Sequence, residues 1–147
     1  MFKKILVPTD GSKLSSKAVE EALELAKLGG SKLVALHVYP RFAGSPYGTF
    51  GPSEDILAEA HAQHRQAAAA KLFAGIGKLA NAVGVAVDTA LIEDDDVYKA
   101  IIAVAKKKKC DLICMASHGR RGLAGVVLGS ETQKVLTHST IPVLVLR

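Results

Sequence analysis

The chain has 147 residues, 49% of them hydrophobic and 22% charged, with 19 Lys and Arg against 14 Asp and Glu. That length suits one domain over 1–147 with a real core and leaves no room for two conventional domains. A mean hydropathy of +0.23 excludes a disordered chain, and strand-sized apolar runs exclude a spanning helix.

The chain opens on Met1-Phe2-Lys3-Lys4 and passes at once into Ile5-Leu6-Val7-Pro8. That run is too short for the apolar region of a signal peptide, so a cytoplasmic location is expected, and without a spanning-length run no membrane partner is expected. Ile5–Pro8 reads as the first strand. Ala18, Val19, Ala22, Leu23 and Ala26 form a helical stripe, stopped by Gly29-Gly30. Lys32–Val38 reads as the second strand. Residues 41–52 (RFAGSPYGTFGP) then carry three Gly, two Pro and no periodic stripe. A loop of this length at the carboxyl edge of a sheet reads either as a ligand lid or as a tolerated insertion.

Leu57, Ala60, His64, Ala67, Ala68 and Leu72 set the stripe of a second helix that ends at Gly84. Gly75 and Gly77 weaken it by roughly 1 kcal/mol each. Val85–Ile92 is the third strand, and Asp94–Asp96 reads as a cap opening a third helix with stripe Val97, Ala100, Ile101 and Val104. Lys106–Lys109 reads as the solvated end of that helix, where cations complement its dipole. With no aromatics interleaved, a nucleic-acid partner is not expected. Cys110 and Cys114 lack the second pair or spaced histidines of a zinc site, and Cys114 reads as a small buried hydrophobe. Asp111–Ala116 and Pro142–Leu146 complete five strands. Strands apolar on nearly every residue, alternating with helices, predict a parallel sheet covered on both faces.

The segment Ala116–Thr132 follows the fourth strand, carries glycines at 119, 122, 125 and 129, and runs into a helix over Ser130–His138. Glycines allow a close backbone approach to a ligand, and a helix start opened by Ser130 is an anion site. The segment holds no Walker Gly-Lys-Ser/Thr, and its glycines do not open the first helix as the dinucleotide fingerprint does.

Val7-Pro-Thr-Asp-Gly-Ser12, Leu36-His-Val38, Cys114-Met-Ala-Ser-His-Gly-Arg120, Gly129-Ser130 and Ile141-Pro-Val-Leu-Val145 follow in order along the whole chain. Together they resemble the universal stress protein family, its ATP-binding branch in particular. The resemblance implies a Rossmann-like α/β fold of the adenine nucleotide alpha hydrolase-like kind. Its five-stranded parallel sheet would run in order 3-2-1-4-5 with helices on both faces. It also implies that ATP, or AMP or ADP, with or without magnesium, lies over the carboxyl ends of strands 1 and 4. The branch pattern Gly-x2-Gly-x9-Gly-Ser/Thr falls on Ala116, Gly119, Gly129 and Ser130, with Ala in the first place.

By the same resemblance Pro8, Thr9 and Asp10 would border adenine and ribose, and Val38 would meet the adenine ring. Ala116, Ser117, His118, Gly119 and Arg120, with Gly129, Ser130, Glu131 and Thr132, would wrap the phosphates. Asp10 is the side chain that could hold a metal, although Asp10-Gly11 also reads as a plain turn and helix cap. Ser117 and His118, as sequence neighbours, are not expected to face one another as nucleophile and base. At most slow ATP hydrolysis is therefore expected of a stress-responsive regulatory protein. A homodimer through the C-terminal strand is implied, with room for an unidentified protein partner. Two alternatives stay open: a protein-interaction member of the same family without nucleotide, and a receiver-like phosphoacceptor domain. The receiver lacks support in an acidic pair after the first strand and a lysine after the last.

Overall fold

The computed structural model describes residues 1–44, 51–119 and 128–147. Five strands, β1 (Lys4–Pro8), β2 (Lys32–Tyr39), β3 (Val87–Glu93), β4 (Leu112–Ala116) and β5 (Val143–Leu146), form one parallel sheet in the order β3-β2-β1-β4-β5. The helices are α1 (Lys13–Gly29), α2 (Glu54–Val83), α3 (Val97–Lys107) and α4 (Ser130–His138). This is the expected fold. Among the described residues no helix is long and apolar enough to cross a membrane.

Successive strand residues point to opposite faces, and here both faces are core. Ile5, Val7, Leu33, Ala35, Leu112 and Cys114 pack with Val19, Leu23 and Ala26 of α1 and Ile76 and Ala80 of α2. Leu6, Val34, Leu36, Ile113 and Met115 pack with Ile101 and Val104 of α3 and Val135 of α4. Double burial of β1, β2 and β4 explains their unbroken apolar runs. The cysteines are free and buried, and burial pushes both thiols up to about 11.

Ser12 opens α1 by accepting the Ser15 N–H on its hydroxyl, and Gly30 closes it at a φ of 63°, where only glycine is unstrained. The buried face of α2 differs from the expected stripe. Ala69, Ile76 and Ala80 are buried, with Leu72, Phe73 and Val83 beside them, whereas Ala60, His64, Ala67 and Ala68 are exposed. Alanines at 67–70 on every side of the helix leave it little amphipathic phase. In addition, 30 residues make a helix of about 45 Å, longer than any strand beneath it, so its first turns have no sheet to bury against.

The cap of α3 also differs. Asp96 occupies the N-cap position, but its carboxylate turns to Lys99 Nζ at 2.7 Å and caps no backbone N–H. Asp94 accepts the Asp96 N–H at 2.9 Å, and Asp95 accepts the Arg41 N–H at 2.9 Å. The Tyr98 N–H goes instead to Glu131 Oε2 at 2.9 Å. A carboxylate from α4 thus serves the start of α3, where negative charge is favoured.

Candidate functional site

The connections reverse direction between β1 and β4, and ligands of open α/β sheets bind at such a switch point. β1 pairs with β2 as far as Pro8↔Leu36, but its pairing with β4 stops at Leu6↔Ile113. The carboxyl ends of the two strands therefore part, and a crevice opens between the residues that follow them.

One wall is the segment Pro8–Ser12. The Thr9 N–H reaches Leu36 O at 2.8 Å, Thr9 O meets His37 Nδ1 at 2.7 Å, and the buried Thr9 hydroxyl lies 3.1 Å from that of Ser15. Asp10 accepts the Ser12 N–H on Oδ1 at 2.9 Å. Asp10 therefore does make a turn, while the cap of α1 falls to Ser12. Its second oxygen faces across the crevice: a side chain added at Gly119 would place its Cβ 2.8 Å from Asp10 Oδ2.

The other wall joins the end of β4 to the start of α4. The Ser117 N–H donates to Leu146 O at 2.8 Å, the Gly129 N–H to Ser117 O at 2.7 Å, and the buried Thr132 hydroxyl to Ala116 O at 3.0 Å. A Cβ at Gly129 would stand 3.2 Å from Ser117 O and 3.3 Å from His118 Cα. The first turn of α4, whose N–H groups have no helical acceptor, is thereby pinned beside residues 117–119. This is an anion-binding geometry.

Ser117 and His118 do meet, contrary to the expectation from their adjacency: the hydroxyl lies 3.1 Å from His118 Nδ1. The chain leaves the strand at Ser117, so the two side chains no longer alternate. Ser117 is only 2% exposed, which denies its hydroxyl to a substrate. His118 Nε2 is a buried polar atom without a hydrogen-bond partner among the described residues, an arrangement suited to a ligand acceptor or donor.

Ala116 lies within β4 opposite Leu146 and is buried. Among the described non-glycine residues only Lys109 has a positive φ, so Ala116 carries no backbone strain. Pro8 and Val38 are half-buried, and Val38 packs on the Leu6–Leu36 side of the sheet. Ser130 is exposed at the start of α4. The Glu131 carboxylate points away to Tyr98 N and, at 2.9 Å, to Lys134 Nζ, so only its backbone stands at the helix start. Arg120, Gly122, Gly125 and the middle of the 41–52 loop lie outside the described residues. The described start of that loop is held from two sides: the Phe42 ring lies 4.8 Å from His61 of α2, the Arg41 N–H donates to Asp95, and just before the loop Arg65 of α2 donates to Pro40 O at 2.6 Å. Sequence reasoning missed His37 as a support of the site, although the motif Leu36-His-Val38 contains it. Among the described residues no group of three or more His, Cys, Asp or Glu side chains gathers to hold a metal.

Comparison with known proteins shows the family and the fold. The family model described as the universal stress protein family matches residues 1–147. A universal stress protein of Methanocaldococcus jannaschii, MJ0531, is 33% identical over 149 residues, covering 100% of this chain and 83% of that relative. The solved structure of MJ0577, a second universal stress protein of that organism, has a TM-score of 0.82 at 27% identity, covering 99% of this chain and 96% of that one. A universal stress protein from Archaeoglobus fulgidus in complex with dAMP shares the fold, with a TM-score of 0.66 at 18% identity over 99% of this chain and 98% of its own.

Proposed function

The chain belongs to the universal stress protein family, and from that premise we propose that it is a cytoplasmic regulatory protein that binds an adenine nucleotide between the ends of β1 and β4. The observation that carries this reading is the pair of glycines on the crevice: side chains at Gly119 and Gly129 would meet Asp10 and the 117–118 backbone. Backbone comes close there because nothing else fits, which suits a polyphosphate. The Archaeoglobus relative in complex with dAMP supports the view that the fold accommodates such a ligand.

In this reading Asp10 faces the ribose, Pro8 and Thr9 border it, and Val38 offers an apolar surface to adenine. Residues 117–119, Arg120 and the first turn of α4 hold the phosphates of ATP, ADP or AMP, and magnesium would arrive with the nucleotide beside Asp10. Glu131 contributes its backbone alone. Slow hydrolysis at most is expected, because the Ser117 hydroxyl beside His118 is buried and out of reach of a substrate.

Titration calorimetry should give about one nucleotide per chain, and nucleotide at 100 times its dissociation constant should stabilise the fold by about 2.7 kcal/mol. No heat and no thermal shift would return the protein to the interaction-only reading. Ala116→Gly should change ATP affinity by less than about threefold, under roughly 0.7 kcal/mol, because Ala116 sits in ordinary strand geometry. A gain of about tenfold or more would show that its methyl crowds the phosphates.

The same reading includes a homodimer through β5, one edge of the sheet. An exposed edge with apolar side chains invites pairing, and two copies would meet about a two-fold axis. Leu144, 39% exposed, is the residue to test, since Val143 packs into the core and lysine there would unfold the chain. Leu144→Lys should sediment as a monomer with its thermal stability retained; a dimer would place the interface elsewhere.

A further inference from the structure

All five strands begin, and α1, α2 and α3 end, at the edge of the sheet opposite the crevice. The chain's lysines gather there. Lys3 and Lys4 lead into β1, Lys32 opens β2 in register with Lys4, Lys27 lies in the last turn of α1, and Lys106–Lys109 end α3. Eight of the 19 cationic side chains but only two of the 14 carboxylates, Asp88 and Asp111, stand here, a balance of +6 against +5 for the whole chain.

Part of the cluster is structural. Lys4 Nζ donates to Lys108 O at 3.1 Å, Lys108 pairs with Asp88, and the Asp111 carboxylate accepts the Lys3 and Lys4 N–H groups at 2.8 and 2.9 Å. That leaves Lys3, Lys27, Lys32, Lys106, Lys107 and Lys109, all exposed and, among the described residues, in no ion pair. Helix dipoles account for Lys27, Lys106 and Lys107. They give no reason for Lys3, Lys32 or Lys109.

Beside these lysines stand three of the chain's exposed large apolar side chains: Met1 (96% exposed), Leu28 (80%) and Phe2 (38%). Met1 and Phe2 lie against residues 29–31, which follow Leu28 at the end of α1. A Cβ at Gly29 would lie 3.3 Å from Met1 Cγ, and the Ser31 hydroxyl holds Phe2 O at 2.6 Å. Such tips are disfavoured in water but suit a surface that offers negative headgroups with hydrocarbon beneath them. A nucleic acid would call for arginine forks and stacking platforms. An acidic peptide would match the lysines and leave the apolar tips in water.

We propose that this edge is a peripheral docking surface for an anionic lipid membrane, with Met1, Phe2 and Leu28 entering the headgroup layer and the lysines binding its phosphates. The expectation of no membrane partner rests on spanning segments, and none is needed here. The proposal is independent of nucleotide binding at the opposite edge.

The test is flotation of the full chain with vesicles of phosphatidylcholine alone and with added phosphatidylglycerol. Flotation only with phosphatidylglycerol, released by high salt, is expected. Lys106→Gln, Lys107→Gln and Lys109→Gln together should lower the partition coefficient roughly 100-fold, at about fivefold per lysine. Phe2→Ser with Leu28→Ser should lower it severalfold and keep the lipid preference. ATP titration and thermal unfolding of both variants, unchanged from wild type, keep folding and the nucleotide reading separate from the result. Equal flotation on both vesicles, none on either, or a triple variant that floats like wild type would overturn the proposal. So would lysine-dependent binding to polyglutamate or an RNA homopolymer without vesicle binding.

Discussion

On the proposed reading Gly119→Val should abolish nucleotide binding, with an affinity loss of at least about 100-fold, and leave the fold intact. The first added carbon would stand 2.8 Å from Asp10 Oδ2, closer than side chains tolerate. Asp10 cannot simply swing aside, because its other oxygen holds the Ser12 N–H at the start of α1. The clash should therefore displace either the Asp10 carboxylate or the backbone of residues 117–119. Gly119 is exposed, so the core does not feel the change and the thermal midpoint should hold. Gly129→Val should act alike for a different reason: its near neighbours are Ser117 O and His118 Cα at 3.2 and 3.3 Å, backbone atoms that cannot rotate away. Neither effect depends on strain, since neither glycine has a positive φ. ATP titration alongside thermal unfolding is the measurement, and affinity retained in both variants would remove the phosphate site.

The sheet was legible because burial on two faces writes a simple signal. Val7 packs toward α1 and α2 and Leu6 toward α3 and α4, so both must be apolar and the strand reads as a run. Strand order is not written that way; it came from the motifs that resemble the family, and the register of Pro8 with Leu36 then fixes where the crevice opens. Polar side chains were harder. Asp96 and Glu131 both look suited to a helix start, but which helix each serves depends on the packing of α3 on α4, and no local pattern carries that. The Ser117–His118 contact depends on the exit angle of a strand. The face of α2 was hidden by alanines, which hold a helix without saying which side is inward. Side chains on the crevice were thus legible as a set, whereas their individual partners were not.

Ile113→Ala is expected to cost about 3–4 kcal/mol and to lower the thermal midpoint by about 10 °C. Ile113 is fully buried and bridges the seam, paired with Leu6 of β1 on one side and Val143 of β5 on the other. β4 itself lies inside the sheet, held between β1 and β5 with helices on both faces, and leaves the cavity no easy way to collapse. If nucleotide binds the folded chain only, as proposed, saturation at 100 times the dissociation constant should return about 2.7 kcal/mol, most of what the substitution removes. The same addition should do nothing for Ile113→Ala combined with Gly119→Val. Urea unfolding of the four proteins, with and without ATP, separates the contributions. A loss below about 1 kcal/mol, the size of an exposed-site change, would mean that the β1–β4 seam is not core. Recovery by ATP in the double variant would mean that the nucleotide is held away from Asp10 and Gly119.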